Sequence, residues 1–223
     1  IEERILRAKE SEVGCPDAKA SAAMQTRIRQ VMTEKDTLGG IIEVAALGLP
    51  AGLGSYSQWD KRLESRIGAA ILSIQAIKGV EFGPAFDNAR LPGTQVHDAI
   101  LTENGTITRP TNRAGGLEGG ITNGQTLIVR AAMKPIATTL TPQRTVDLSS
   151  GQPVDTRYER SDFCPVPRAV VIVESMLMII LADALLEKLG GDSLAEMLPR
   201  FERLKKMRVE DFHMQNTPRI WWP

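Results

Sequence analysis

Hydrophobic positions fall at two spacings along this chain, three to four residues in some stretches and two in others, and each change of period marks a new element. IEERILRAKESEV, residues 1–13, has the helical spacing and predicts an amphipathic helix. Cys15-Pro16-Asp17 sets a capping carboxylate ahead of a second such run, which predicts a helix over 17–35. LGGIIEVAALGL, residues 38–49, is rich in β-branched and small residues and ends at Pro50-Ala51-Gly52, so it reads as a strand entering a glycine-rich loop. A helix over 58–74 and a strand over 76–82 follow.

DAILTENGTIT, residues 98–108, holds Asn104-Gly105 between apolar runs, the residue pair that a type I′ hairpin turn needs. A further strand is predicted over 125–133. From Pro165 the pattern is helical: Pro167 suits a first turn, Asp162 is a candidate cap, and Gly190-Gly191 is the stop. Apolar residues run all round this helix, so it is expected to be central and buried. An amphipathic helix over 193–208 is expected next, then a tail through Trp221-Trp222-Pro223 as a surface strap. Helices and strands that meet in glycine-rich turns predict the α+β class, and the strand, GxGxxG, helix order of a dinucleotide fold is missing.

Composition narrows the function classes. Length fits one large domain or two small ones with a core that needs no disulfide support, and 27 basic residues balance 27 acidic ones. A sequence-independent grip on nucleic acid needs a basic excess, so no nucleic-acid partner is expected. Cys15 and Cys164 lie far apart with no ligand spacing around them, which predicts free thiols and no metal site. The apolar run over 169–181 is broken by Glu174 and looks too short for a membrane span, and nothing at the start reads as a secretory signal. A cytoplasmic protein with no membrane partner is expected.

Candidate chemistry concentrates in three places. TNRAGGLEGGITNGQ, residues 111–125, puts five glycines and two asparagines in fifteen positions, a backbone that a flat or anionic ligand can approach closely. Lys134 follows an apolar strand and precedes Pro135, which places an ammonium at a strand end; taken alone it reads more simply as a surface lysine. Arg160, Ser161 and Asp162 set a cation, a hydroxyl and a carboxylate before a long helix, where a phosphate or a flavin would be held. Taken alone, Asp162 is a cap and Arg160 a surface ion-pair partner. Glu174 sits within the apolar helix and calls for a partner in another element. His97 and His213 have no spacing that suggests a triad or a metal site.

Three segments read in order, NRAGGLEGGITNGQ, KPIATT and RSDFCPVPRAVVIVES, resemble chorismate synthase. The weaker matches SIQAIKGVEFG at 73–83 and GTQVHDAI at 93–100 fall in the same family order. The resemblance implies a β-α-β sandwich with helices enclosed between antiparallel sheets, assembled as a homotetramer. It implies a lyase that removes phosphate from 5-enolpyruvylshikimate 3-phosphate by anti 1,4-elimination and requires reduced FMN, with NADPH as the candidate reductant. Carried over by motif, the flavin contacts are Gln75, Ala76, Gly119, Lys134, Pro135, Ile136, Ala137, Thr138 and Arg160. Asp162 and Arg160 match the catalytic pair of the family's C-terminal signature, Asp162 being the carboxylate that handles a proton. The family's Gly-Glu-Ser-His motif, its catalytic histidines and its arginine-rich stretch are not in this sequence, so residues 1–223 read as one domain incomplete at its N-terminus. Two other readings are a catalytically silent flavin-binding and oligomerisation fragment of that enzyme, and an unrelated flavin reductase.

Overall fold

In the computed structural model residues 1–159 and 161–204 are described. Contacts divide the described residues into two compact units: those of 1–45, 65–81 and 128–182 in one, and those of 46–64, 82–127 and 183–204 in the other. In chain order the elements are α1 (Glu2–Glu10), α2 (Ala18–Thr33), β1 (Gly40–Ala46), a 3₁₀ turn (Trp59–Lys61), α3 (Leu63–Leu72) and β2 (Ile77–Phe82). They continue as α4 (Ala85–Asn88), α5 (Gly93–Val96), β3 (Leu101–Glu103), β4 (Thr106–Thr108), β5 (Leu117–Glu118) and β6 (Ile121–Thr122). Last come β7 (Leu127–Met133), β8 (Arg144–Val146), β9 (Pro153–Asp155), α6 (Val166–Leu189) and α7 (Leu194–Leu204). Helices stand beside antiparallel hairpins, so the class is α+β as expected.

The first unit is organised by a three-stranded sheet in the order β1-β7-β2. The middle strand alternates as a strand with one packed face should: Leu127, Val129, Ala131 and Met133 are buried while Ala132 is exposed. Arg130, between two of those buried positions, pairs with Glu43 of β1 and Glu81 of β2, so one guanidinium ties both neighbours to the central strand. Ile67 and Ile71 of α3 and Val173 and Leu177 of α6 are buried in the same unit. Each such side chain contributes about 1.5–3 kcal/mol of transfer free energy. Asp17 caps α2 by accepting from the Ala20 amide at 2.7 Å, as its position in the sequence predicts.

Four expectations need correction. The helix over 58–74 is broken: Arg62 is extended, because the Leu63 amide is taken by the Gly120 carbonyl at 2.9 Å and a regular helix begins only there. Asp162 is not a cap, because α6 starts at Val166. Pro165 and Pro167 bring no amide protons to that first turn, and the carboxylate turns to Arg168 at 2.9 Å instead. Helix α6 is also not buried all round: Ala169, Val173, Leu177 and Leu181 form one packed stripe at four-residue intervals, while Val171 and Met178 are more than 60% exposed. At 24 residues it is long and apolar enough to cross a bilayer by length and composition, contrary to the expectation from its innermost run, although the fully packed Val173 is equally that of a core helix.

The second unit is built from short hairpins. Asn104 and Gly105 both adopt positive φ, 50° and 76°, between β3 and β4, the I′ condition that the sequence predicts. Gly190 and Gly191 end α6 in left-handed conformations, with the Gly190 amide on the Leu186 carbonyl. The residues of the expected helix beyond 204, and Trp221-Trp222-Pro223, lie outside the described residues.

Candidate functional site

Ala76 carries the first unit's most informative backbone feature. It sits between the last turn of α3 and β2 at a φ of 67°, a conformation that costs an alanine roughly 1–2 kcal/mol. Its carbonyl accepts from the Lys134 amide at 2.9 Å, directly after β7. Gln75-Ala76 and Lys134-Pro135, fifty-odd residues apart in the chain, are therefore joined backbone to backbone at one end of the sheet. Strain of this kind persists where surrounding structure enforces it, and such places cluster at ligand sites.

From that junction residues 134–138 run outside any helix or strand, with a bend at Ala137. Lys134, Pro135 and Ala137 are exposed, and Ile136 and Thr138 are half-buried. Ser161 donates from Oγ to the Thr138 carbonyl at 3.0 Å, which brings the segment carrying Asp162 alongside. Asp162 keeps about 40% of its side chain open to solvent beside Arg168, so its carboxylate is accessible as well as paired. Gln75, Ala76, Lys134, Pro135, Ile136, Ala137, Thr138 and Asp162 thus share one unit, through two direct hydrogen bonds between their segments. Arg160 and His213 lie outside the described residues.

Gly119 belongs to the second unit, and the structure sorts the glycine-rich stretch around it. A methyl on Gly115 would stand 2.2 Å from the Gly83 nitrogen, one on Gly116 2.7 Å from the Thr126 carbonyl oxygen, and one on Gly120 2.5 Å from the Ser55 carbonyl oxygen. Those three glycines are demanded by the protein's own backbone, a correction to the expectation that a ligand explains the run as a whole. Gly119 differs: at a φ of 65° it caps the β5-β6 turn with nothing within 4 Å of where its side chain would be. It leaves bare, exposed backbone at a hairpin tip.

Two polar clusters hold that hairpin. Arg109 pairs with Glu118 at 3.1 Å and donates to the Asn123 carbonyl at 3.1 Å, and Thr122 hydrogen-bonds both Leu53 and Pro50 from its buried hydroxyl. Asp98 accepts from the Thr111 hydroxyl and from the amides of Arg113 and Ala114. Partial burial pushes the Asp98 carboxyl up, but these three donors and the Arg109 charge outweigh it and hold the group below its ordinary value. Asp98 was not singled out in the sequence, where it is one carboxylate in a weak motif; its role appears only once residues 111–114 fold over it.

Glu174 is half-buried, and no ion pair to it occurs among the described residues. His97 is exposed. No group of three or more His, Cys, Asp or Glu residues suited to a metal ion occurs among the described residues. A cavity of about 530 Å³ in the first unit is lined mainly by apolar residues of α1, α2, β1 and the start of α6, with Cys15, Cys164, Arg4, Arg27 and Glu43 among them. None of the residues carried over by motif lines it.

The comparisons with known proteins bear on the family of the chain. The family model described as chorismate synthase matches residues 1–186. The chain is 52% identical over 195 residues to a chorismate synthase of Trichlorobacter lovleyi, covering 84% of this chain and 50% of that protein. It is 51% identical over 208 residues to one from Chlorobaculum tepidum, covering 91% and 52%, and 52% identical over 209 residues to one from Moorella thermoacetica, covering 93% and 55%. A crystal structure of chorismate synthase superposes with a TM-score of 0.77 at 43% identity, covering 92% of this chain and 55% of that one. The chain spans about half the length of the relatives it matches.

Proposed function

Since the chain belongs to the chorismate synthase family, we propose that the protein carrying it converts 5-enolpyruvylshikimate 3-phosphate to chorismate and inorganic phosphate in the shikimate route to aromatic amino acids. The reaction breaks a C–O bond to phosphate and a C–H bond, forms a C=C bond, and is redox-neutral overall. The single observation that supports this reading is the junction of Gln75-Ala76 with Lys134-Pro135 and of Thr138 with the Asp162 segment, which brings those motif segments together within one unit.

The residues fit reduced FMN. A flat ring needs backbone it can approach closely; Lys134, Pro135 and Ala137 are exposed in the first unit, and Gly119 of the second unit is added by the family motif alone. Residues 134–138, with Gln75 and Ala76, would hold the ring and its phosphate, Lys134 supplying the charge. When bound, reduced FMN would supply electron density as the phosphate leaves. Asp162, accessible and next to this loop, would handle the proton lost from carbon, and Arg160 would counter anionic charge. NADPH as reductant, a homotetramer and a cytoplasmic location are proposed from family membership alone.

A second reading concerns these 223 residues by themselves: because they span half the length of the relatives, the isolated chain would be a silent flavin-binding and assembly fragment. Both readings meet in one assay, anaerobic chorismate formation from the substrate and chemically reduced FMN. The full-length protein should form chorismate only with reduced FMN, and the 223-residue chain none. No product from a folded full-length protein would sink the enzyme reading; product from the 223-residue chain would sink the fragment reading.

A further inference from the structure

The linker from α2 to β1 touches residues 133–141, which contain the proposed cofactor loop 134–138, at three points, and nothing in the sequence marks it for that. The Lys35 carbonyl accepts from the Thr141 amide at 3.1 Å, three residues beyond the loop. Thr37, only 8% exposed, donates from Oγ1 to the Ile136 carbonyl at 2.6 Å, in its middle. Gly39 lies against its beginning: a methyl there would stand 2.2 Å from the Met133 carbonyl oxygen and 2.9 Å from the Pro135 nitrogen. The intervening Leu38 amide donates to the Phe163 carbonyl at 2.7 Å, next to Asp162. One short linker thus fixes the course of residues 134–138 and the placement of the carboxylate segment at once.

We propose that residues 35–39 are a positioning strap for the cofactor loop, with Thr37 its central positioning residue and Gly39 the close contact that sets the loop's height. This rests on the reading that residues 134–138 hold FMN. Thr37 touches no ligand in this account. It acts on the Ile136 carbonyl, a half-buried acceptor that would otherwise have to find water, and so fixes the exposed Pro135 and Ala137 on either side of it. Gly39 serves the same end by absence, since any side chain would lift the loop away from the sheet.

The test is FMN affinity of the full-length protein, titrated well below the unfolding temperature, together with turnover at saturating reduced FMN. Thr37→Val keeps shape and removes the hydroxyl; the dissociation constant for FMN should rise about 5- to 10-fold, the usual consequence of losing one such bond. Thr37→Ser should restore affinity, and turnover at saturating FMN should stay near wild type, a split that general destabilisation would not produce. Thr37→Ala removes the same donor without forcing a methyl against the carbonyl, and reads the same loss if the valine form does not fold. Wild-type affinity in Thr37→Val or Thr37→Ala, or a loss that Thr37→Ser fails to restore, overturns the strap. A folded wild-type protein that binds no FMN overturns the cofactor reading itself, and the strap with it.

Discussion

At the level of single residues, glycine and carboxylate positions separate structure from chemistry. Gly115→Ala should cost about 3 kcal/mol or more, because it adds left-handed strain to a collision with backbone at Gly83. Gly119→Ala meets no neighbour, so only its φ is strained and stability should fall by about 1–2 kcal/mol. If Gly119 backbone lies against the flavin, the same methyl should weaken FMN binding by about tenfold or more, beyond anything its stability effect explains. Urea unfolding of the FMN-free full-length protein and a flavin titration read the two separately; unchanged affinity in Gly119→Ala would remove Gly119 from the cofactor set. Asp162→Asn offers the complementary case. Its pair with Arg168 is largely solvated and contributes about 0–1 kcal/mol, so folding and FMN affinity should hold while turnover falls about 10²–10⁴-fold. Near-normal turnover would return Asp162 to a surface ion pair.

Between elements, what the sequence made legible was local and what it hid was long-range. The Asp17 cap, the Asn104-Gly105 turn and the alternation in β7 each depend on neighbours a few residues away, and each stands where the pattern places it. The break at Arg62 comes from a carbonyl at Gly120, and the role of Thr37 from a carbonyl at Ile136, so neither leaves a periodic trace. The motif residues themselves were legible only through the family resemblance, since Lys134 and Asp162 look ordinary by spacing. Asp98 joins the two scales: one side chain closes residues 111–114 over the approach to the β5-β6 hairpin. Its lowered carboxyl means that this stabilisation is complete above the ordinary value of 3.8 and is lost as pH falls below it, through the lower folded-state value. Amide exchange should therefore report faster opening of residues 111–114 at pH 3 than at pH 6, once corrected for intrinsic rates. Asp98→Asn should open the same segment at pH 6 and abolish the difference; equal protection at both pH values in wild type would show that the carboxylate does not hold the loop.

For the molecule as a whole, the outer side of α6 decides how the 223-residue chain behaves by itself. Val171 is 65% exposed, Ile172 50%, Met178 61% and Ile179 59%, and these positions recur along one helix as an apolar strip interrupted by Ser175. Monomeric proteins rarely leave such strips bare, because water ordering around them favours any contact that covers them. The inner stripe of Val173 and Leu177 is fully packed, so the helix itself should be secure while its outer side drives association. The isolated chain should accordingly sediment as oligomers at micromolar concentration and bind a hydrophobic dye strongly. Ile172→Glu combined with Ile179→Glu puts two charges on the strip without touching a buried position, and should return the chain to a monomer with reduced dye binding and unchanged helical signal. If the doubly substituted chain still associates, the contact lies elsewhere on the surface; if it loses its helical signal, those two side chains are part of a packed core and the exposed strip is not the state of the isolated chain.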